Sequence, residues 1–523
     1  MNARTCLVGA LALTLAGVAN PGCSCGDTEN TAQTTGCGSD CNQPCNDAIP
    51  LGLIGAYTSV AAAKDGAIWV SGYNDAPVSK SLQAGTLYGD LVVGKYDSGK
   101  QRVQWQTVDG VPALAEGSCP DNDPKGWRGG STDPGNDVGL WTSLQLDAND
   151  RPMVAYYDAT NGSAKFATYD GAQWASYVLS SKPSADIGRY AKLLVVDGKP
   201  VVAFLAMEAG KDGYTRSRVV VGRANANPPT SASAWTFEDA AVDEQTPCLP
   251  DFCSGAQVCV PTGTLAPGQA GQCLAAVAGC TPADCGTGKA CVTVKNKATC
   301  VAVVDKTAPR SYPNAAGDYV SLASGPSGLG LVVYDRTRGN LIGVSNAGGK
   351  WTASILDGQT GASNAQHTNT GDVGIAAALA ITPNGDWHVV YVNGIQEQLQ
   401  YMLVPGGDAA KHAAPEVVDN GSDNGKPYSD GVHVVGDDAA IMVDATGNVQ
   451  VAYQDSTAGT LKLASGAAQG ATHKWTTRTI PQQRGFAGYF PRFVPSTSQI
   501  TNFYRQTDHA AGEVTGDVAF VTP

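Results

Sequence analysis

Short apolar runs separated by polar turns recur along most of the chain. The stretch VGLWTSLQLDANDRPMVAYYDAT, residues 138–160, has two such runs on either side of a polar turn at Asn149-Asp150. Alternating apolar and polar residues are typical of a half-buried β-strand, and a short Asn, Asp or Gly turn between two such runs is typical of a β-hairpin. The pattern therefore predicts an antiparallel hairpin.

This hairpin pattern occurs seven times. Each copy has a glycine near its start, and an aromatic residue stands sixteen to eighteen positions later, in the second apolar run. The glycines are Gly55, Gly139, Gly188, Gly317, Gly374, Gly436 and Gly488, and the aromatic residues are Tyr73, Tyr156, Phe204, Tyr334, Tyr391, Tyr453 and Tyr504. A third run follows, and then a fourth that carries a tryptophan in five copies. Four antiparallel strands in each of seven copies predict an all-β fold, a seven-bladed β-propeller.

The last copy ends at GDVAFVTP, residues 516–523, without a tryptophan-bearing fourth run. A propeller ring has to close, because an unpaired blade edge invites aggregation. Residues 47–53 precede the first repeat glycine, and we expect them to supply the outer strand of the last blade.

Two runs, VAYYDATNGSAKF at 154–166 and VAYQDSTAGTLKL at 451–463, resemble repeats of a known group. That group consists of secreted or surface-attached bacterial seven-bladed propellers with sialidase-like repeats. The resemblance covers residues 54–523 apart from one insertion, and it implies the fold. It implies no activity, because the sialidase Asp-box (Ser-x-Asp-x-Gly-x-Thr-Trp) does not occur in the sequence. No catalytic residue is therefore assigned.

The insertion lies between the third and fourth copies, at 246–305, and contains eight cysteines. They form two modules with the same initial spacing: Cys248, Cys253, Cys259 and Cys273, then Cys280, Cys285, Cys291 and Cys300. A segment with so few large apolar residues needs cross-links in place of a core. Zinc is the rival interpretation, but the segment has no histidine and no Cys-x-x-Cys. The spacing predicts a separate, loop-rich body with four internal disulfides and no metal, and leaves the pairing open.

The N-terminal apolar stretch CLVGALALTLAG, residues 6–17, follows Arg4 and is too short to span a bilayer. Such a stretch is typical of a signal peptide, with cleavage here before Asn20. The alternative is a lipoprotein anchored through Cys23. Loss of Cys6 leaves fourteen of the fifteen cysteines, an even number, and this slightly favours a disulfide for Cys23. Either interpretation places the chain outside the cytoplasm or in the cell envelope.

The predicted organisation follows from these segments. It comprises a signal peptide at 1–19, a cysteine-containing linker at 20–46, blades one to three at 47–245, the cysteine-rich insertion at 246–305 and blades four to seven at 306–523. The formal net charge is −13, and lysine and arginine are not clustered, which argues against binding to nucleic acid or an anionic membrane. We expect a monomer that meets a membrane only through the N-terminal anchor, if that anchor is present.

In antiparallel blades, the start of the first strand and the end of the second strand lie on one face of the propeller, and the longest connections also emerge there. Rigid scaffolds commonly bind at such a face. Two positions after the repeat glycine stand aromatic residues that could form a binding platform or pack between blades, and two cations replace serine or alanine at a nearby repeat position. The predicted ligand-binding residues are Tyr57, Trp141, Tyr190, Lys192, Tyr319 and Arg492.

Carboxylates also recur after the second strand, at Asp75, Asp158 and Asp455, with Asn393 as their counterpart in the fifth copy. A suitably spaced pair could act on a glycoside, but an aspartate at this place is more often a turn cap. The six histidines show no metal-ligand spacing. No cofactor is expected.

Two functions remain open at this stage. The favoured one is a non-catalytic extracellular protein that presents a propeller face to a glycan or a protein. The alternative is a secreted carbohydrate-active enzyme, a glycoside hydrolase or lyase, with carboxylates at the channel mouth. A purely structural envelope component is a third interpretation.

Overall fold

The structure of the protein is a computed structural model. It describes residues 53–77, 87–111, 134–209, 215–244, 253, 255–260, 272–303, 317–336, 339–358, 372–423, 425–470, 472–481, 485–508 and 513–523. Within these ranges the chain forms β-strands and a few short 3-10 turns, without an α-helix. No helical segment in the described ranges is long and apolar enough to cross a bilayer.

The first three blades are four-stranded antiparallel sheets whose strands lie in chain order. Blade one has β1 (Leu53–Ala62), β2 (Ile68–Pro77), β3 (Leu87–Asp97) and β4 (Arg102–Asp109). Blade two has β5 (Val138–Leu146), β6 (Pro152–Asp158), β7 (Ser163–Tyr169) and β8 (Trp174–Ser180). Blade three has β9 (Asp186–Val196), β10 (Lys199–Ala209), β11 (Thr215–Ala224) and β12 (Trp235–Glu244).

The insertion contributes two short hairpins. They are β13 (Gln257–Val260) with β14 (Gln272–Ala275), and β15 (Lys289–Val294) with β16 (Lys297–Ala302). Among its described residues, each cysteine module of the predicted disulfide-rich loop insertion thus contains a two-stranded sheet.

The remaining blades repeat the same order. Blade four has β17 (Asp318–Gly325), β18 (Gly328–Asp335), β19 (Asn340–Ser345) and β20 (Thr352–Asp357), and blade five has β21 (Val373–Ile381), β22 (Trp387–Asn393), β23 (Gln398–Val404) and β24 (Glu416–Asp419). Blade six has β25 (Val435–Val443), β26 (Val449–Asp455), β27 (Thr460–Gln469) and β28 (Thr472–Thr479), and blade seven has β29 (Phe486–Phe493), β30 (Ile500–Asp508) and β31 (Glu513–Val521). The seven-bladed propeller is confirmed.

The hydrophobic core lies between neighbouring blades. Phe166 of blade two and Phe204 of blade three are fully buried in one such cluster, and equivalent clusters fill the other blade interfaces. Burying a side chain of this size stabilises the fold by roughly 1.5–3 kcal/mol. Each blade therefore gains part of its stability from the two blades beside it.

The repeat glycine allows each inner strand to lie against the third strand of the preceding blade. A Cβ on Gly139 would lie 2.8 Å from Cα of Leu91, and a Cβ on Gly188 would lie 2.7 Å from Cα of Ala164. All seven repeat glycines also have φ between +87° and +117°, where other residues are strained. Glycine is required at this position on both grounds.

Blade seven meets blade one directly. Leu53 pairs in parallel with Gly516, and the indole N–H of Trp105 donates to Oδ1 of Asp517 at 3.0 Å. Leu53 is the first residue of the inner strand β1, and residues 47–52 lie outside the described ranges. Within those ranges blade seven has three strands, so its completion by residues 47–53 stays a prediction.

An aspartate at the end of the fourth strand links three pairs of neighbouring blades. A tyrosine on the second strand of the next blade donates its hydroxyl hydrogen to this aspartate: Tyr156 to Asp109 (2.6 Å), Tyr391 to Asp357 (2.7 Å) and Tyr453 to Asp419 (2.5 Å). The residue paired with the tyrosine on the third strand is Lys165, Gln400 or Lys462 respectively. Both lysines form an ion pair with the aspartate. We call this arrangement the Tyr–Asp–Lys clip.

The cysteines of the insertion form disulfides, as predicted. Cys253 pairs with Cys273, Cys280 with Cys291 and Cys285 with Cys300, and Cys259 is also disulfide-bonded. Cys248 lies outside the described residues. The sulfurs of Cys280, Cys285 and Cys300 lie within 4.8 Å of one another, but all three are already in disulfides and offer no thiolate to a metal.

Candidate functional site

The residue two positions after each repeat glycine adopts the left-handed backbone conformation. These residues are Tyr57, Trp141, Tyr190, Tyr319, Ala376, Asp438 and Phe490, with φ between +47° and +57°. Non-glycine residues rarely hold this conformation, and when they do so it is imposed by the surrounding structure. The inner strands are irregular at this place, with breaks in the pairing register on either side of Ala56 in blade one, for example. All seven side chains consequently line one cavity on the propeller axis.

Five of these side chains form a continuous arc of aromatic rings. The distances between ring centroids are 4.7 Å for Phe490 and Tyr57, 5.6 Å for Tyr57 and Trp141, 4.8 Å for Trp141 and Tyr190, and 5.1 Å for Tyr190 and Tyr319. The arc runs through blades seven, one, two, three and four, because ring closure makes blade seven a neighbour of blade one. Ala376 of blade five and Asp438 of blade six leave the opposite side of the cavity without rings.

Two cations reach the same cavity from a different repeat position. Lys192 and Arg492 stand four residues after their repeat glycines, where blades one, two and four have serine. Those serines join neighbouring blades: Ser59 accepts a hydrogen bond from the backbone N–H of Leu144 at 3.0 Å, and Ser143 accepts one from Leu193 at 2.9 Å. Blades three and seven therefore have a charged group inside the channel in place of this contact.

Lys192, Arg492 and Asp438 interact electrostatically inside the cavity. Burial lowers the pKa of the Lys192 amine to about 7, with a further contribution from the nearby Arg492 charge. Burial also raises the pKa of the Asp438 carboxyl to about 6, against the stabilising effect of Arg492 on the carboxylate. The channel keeps all three side chains in contact with some water, but protein surrounds them and their charged forms are poorly solvated.

The cavity has a volume of about 310 Å³. That volume lies at the lower end of the range of small-molecule sites, which are commonly concave and aromatic with a few polar groups. Besides the residues already described, the small side chains of Thr142, Val320, Ala377 and Ala439 complete the lining. The cavity suits one ring of a ligand.

Two charged pairs lie near the aromatic arc. Arg189 forms an ion pair with Asp186 at 2.6 Å, and its guanidinium lies 5.9 Å from the ring centre of Trp141. Near Tyr319, Arg336 forms an ion pair with Asp318 at 2.9 Å.

All six residues predicted to bind a ligand line this one cavity: Tyr57, Trp141, Tyr190, Lys192, Tyr319 and Arg492. Their role in ligand binding stays a prediction. The two interpretations of the aromatic residues prove compatible, because the rings contact one another and still face the channel. Asp438 was not among the predicted residues, since in the sequence it only interrupts the aromatic set. Asp438 stands two positions after the repeat glycine Gly436, where the other blades have the residues that line the cavity, and this position could have identified it.

The carboxylates after the second strand have structural roles. Asp158 accepts the backbone N–H of Asn161 at 2.9 Å, and Asp455 accepts that of Ala458 at 2.9 Å. Asn393 accepts the N–H of Gln396 at 3.1 Å in the same way. These residues are turn caps, as expected. Asp75 is different, because burial and the nearby Asp137 raise the pKa of its carboxyl.

No protein-family model matches the chain, and no curated protein matches its sequence. Several solved structures are similar at low identity. The polysaccharide lyase Uly1 is 10% identical over 82% of this chain and 77% of its own, with a TM-score of 0.38. YCF48 from Cyanidioschyzon merolae is 12% identical over 91% and 98%, with a TM-score of 0.37. An intramolecular trans-sialidase from Ruminococcus gnavus is 11% identical over 89% and 94%, with a TM-score of 0.34. Similarities this distant carry no argument about activity.

Proposed function

We propose that the protein is an extracellular, non-catalytic recognition protein whose axial cavity binds a glycan. The arc of five aromatic rings is the observation that carries this proposal. Aromatic side chains offer a large apolar face at a low cost in conformational entropy, and a sugar ring has a flat C–H face that can stack on them.

The number of carboxylates that line the cavity favours binding over glycoside hydrolysis. Glycoside hydrolases commonly use two carboxyl groups on either side of the scissile bond. Among the described residues that line the cavity, Asp438 is the single carboxylate. Asp158 and Asp455, two of the three strand-end candidates, are engaged as turn caps, and the third, Asp75, is not among the residues that line the cavity.

A lyase is the second candidate, on the basis of a different observation. The pKa values of Lys192 and Asp438, about 7 and about 6, lie where a general base and a general acid work best near neutral pH. A lyase would cleave an acidic polysaccharide by elimination. It would release an unsaturated product, which is detected by its ultraviolet absorbance without added reagents.

The disulfides of the insertion support a location outside the cytoplasm, since such cross-links persist in oxidising compartments. We propose that the chain is secreted or held at the cell envelope by a lipid on Cys23. We propose the cysteine-rich insertion as a second binding surface, for a protein partner. Residues 1–52, which include the proposed signal peptide and linker, lie outside the described residues.

A glycan array probed with the full chain tests the binding proposal. Trp141→Ala removes the central ring of the arc, and we expect binding to weaken by about 1–3 kcal/mol, or tenfold or more. Trp174→Ala is the matched control, because Trp174 is also partly exposed but lies on the outer strand of blade two. It should leave glycan binding unchanged.

Thermal unfolding of the same variants separates binding from packing. If Trp141→Ala unfolds early but binds every array ligand as the unchanged chain does, the rings are packing residues and the proposal is wrong. Ultraviolet-absorbing product from an acidic polysaccharide would instead favour the lyase.

A further inference from the structure

We propose that the axial cavity takes a ring-shaped ligand bearing one anionic group, and that the anion binds between Lys192 and Arg492. This inference rests on the proposed binding function and names its ligand class. Three independent observations support it: the position of the two cations in the repeat, the charge balance of the cavity, and the aromatic arc beside them.

The repeat shows that these cations are not needed by the blade scaffold. Serine at the equivalent position in blade four, Ser321, accepts the backbone N–H of Leu379 in the next blade at 3.1 Å, as the serines of blades one and two do. Lys192 and Arg492 give up this contact and place a charge in a poorly solvated channel. Blades five and six have alanine at this position, Ala378 and Ala440, so loss of the serine contact does not by itself point to a ligand. A charge in a poorly solvated channel costs stability, and this cost supports a role for the two charges in binding a ligand.

When Lys192 is protonated, the described residues that line the cavity carry two positive charges and one negative charge. Lys192 and Arg492 are opposed by Asp438, the single carboxylate among the described lining residues. Within the described part of the chain, the Lys192 amine has no hydrogen bond and no carboxylate within ion-pair distance. Arg492 donates to the carbonyl of Pro491 at 2.7 Å, and Asp438 accepts the N–H of Phe490 at 3.4 Å. An incoming anion would compensate the charge on Lys192.

Binding of the anion is coupled to protonation of the Lys192 amine, and the proton comes from the solution. Lys192 has a pKa of about 7, so near neutral pH a substantial share of the amine is uncharged. A bound anion would favour the ammonium form and raise this pKa. The other titratable groups that line the cavity are Arg492, Asp438, Tyr57, Tyr190 and Tyr319. Burial raises the pKa of each tyrosine, so these phenols stay neutral over the range in which Lys192 titrates.

The anionic group can be a carboxylate or a sulfate, since the planar guanidinium and the ammonium can donate hydrogen bonds to the oxygens of either. The probes are therefore D-glucuronate and glucose 6-sulfate, with glucose as the neutral control. Titration calorimetry on the full chain measures affinity at pH 6 and pH 8, and at pH 7 in two buffers of different ionisation enthalpy. Proton uptake appears as a difference in observed enthalpy between the buffers.

We expect at least one of the two anionic probes to bind, and glucose to bind more weakly. With a lysine pKa of about 7, the protonated fraction falls about tenfold between pH 6 and pH 8, and affinity should fall by about the same factor. Lys192→Arg retains a cation that does not titrate in this range, so its affinity should fall less between pH 6 and pH 8 than that of the unchanged chain, and the fall that remains reports the ionisation of Asp438. Lys192→Ser introduces the serine of blades one, two and four and should weaken the preference for the anion, because Arg492 is then the single cation that lines the described cavity.

Three outcomes would overturn the inference. One is equal affinity for glucose and both anionic probes, a second is anion binding that is independent of pH and buffer, and a third is an unchanged preference for the anion in a folded Lys192→Ser variant. If neutral glycans bind at Trp141 while neither anionic probe does, the ligand class is wrong and the proposed binding function stands. If the glycan array and all three probes give no binding, the proposed function fails as well.

Discussion

Replacing Asp419 by asparagine removes the negative charge from the Tyr–Asp–Lys clip between blades five and six. The side chains of Asp419 and Lys462 are each 2% exposed, so the Lys462 ammonium has little access to water. Removing one partner of a buried ion pair costs about 3–5 kcal/mol, because the other charge is left uncompensated. We expect Asp419→Asn to reduce the free energy of unfolding by this amount.

The entropy of unfolding converts this loss into a melting temperature. At roughly 2.1 cal/mol/K per residue, the 523 residues give about 1.1 kcal/mol/K. A loss of 3–5 kcal/mol should therefore lower Tm by about 3–5 °C. Differential scanning calorimetry measures this shift. Asp150→Asn is the control, because Asp150 pairs with the exposed Lys64 and should contribute less than about 1 kcal/mol.

A second substitution tests whether the charge is the cause. Gln400 occupies the position of Lys462 in blade five, where Tyr391 and Asp357 form the same contact without a lysine. The double variant Asp419→Asn/Lys462→Gln carries no buried charge at the clip and should recover more than half of the lost stability. If its Tm loss equals the sum of the two single losses, the pair is not coupled and the reasoning fails.

Three further predictions concern other parts of the molecule. Gly139→Ala should lose about 2–4 kcal/mol of stability in thermal unfolding, through backbone strain and the close neighbouring strand, whereas Gly66→Ala, with open space around it, should lose only about 1–2 kcal/mol. Burial lowers the pKa of His388 to about 4, so stability is fully present above pH 6.5 and should fall by up to about 3 kcal/mol as the pH drops from 6.5 to 4. His388→Gln should remove this dependence, and an unchanged pH profile would contradict it. If the first cysteine module is paired as the second is, non-reducing mass spectrometry should find Cys248 linked to Cys259 and no link from the insertion to other cysteines.

The blade repeat could be predicted from the sequence because steric demands recur in it. Each repeat glycine stands where a side chain would strike a neighbouring strand, so no other residue is accepted. The register of the two hairpin strands follows from the same repeat. Lys192 and Arg492 could be identified because they depart from a pattern that is otherwise serine or alanine.

The direction of the aromatic side chains could not be predicted. The left-handed conformation of Trp141 is unfavourable for a non-glycine residue, and the surrounding blades impose it. The sequence therefore left open whether the rings pack between blades or face the channel. The Tyr–Asp–Lys clip was also missed, since its members lie on two blades and form a pattern only after the strands are in register. The disulfide pairing could not be predicted either, because it depends on which cysteines the folded chain brings together.

Ring closure has a consequence for how the chain folds. The hydrogen bond between Trp105 and Asp517 joins residues 412 positions apart. Loop-closure entropy rises by about 0.6 kcal/mol for each doubling of loop length, so this closure costs roughly 2.6 kcal/mol more than that of a 20-residue loop. Blade one is synthesised first, but its neighbour on one side, blade seven, is synthesised last. The contact between blades one and seven thus has the highest contact order in the ring, and we expect its formation, rather than that of any single blade, to limit the folding rate.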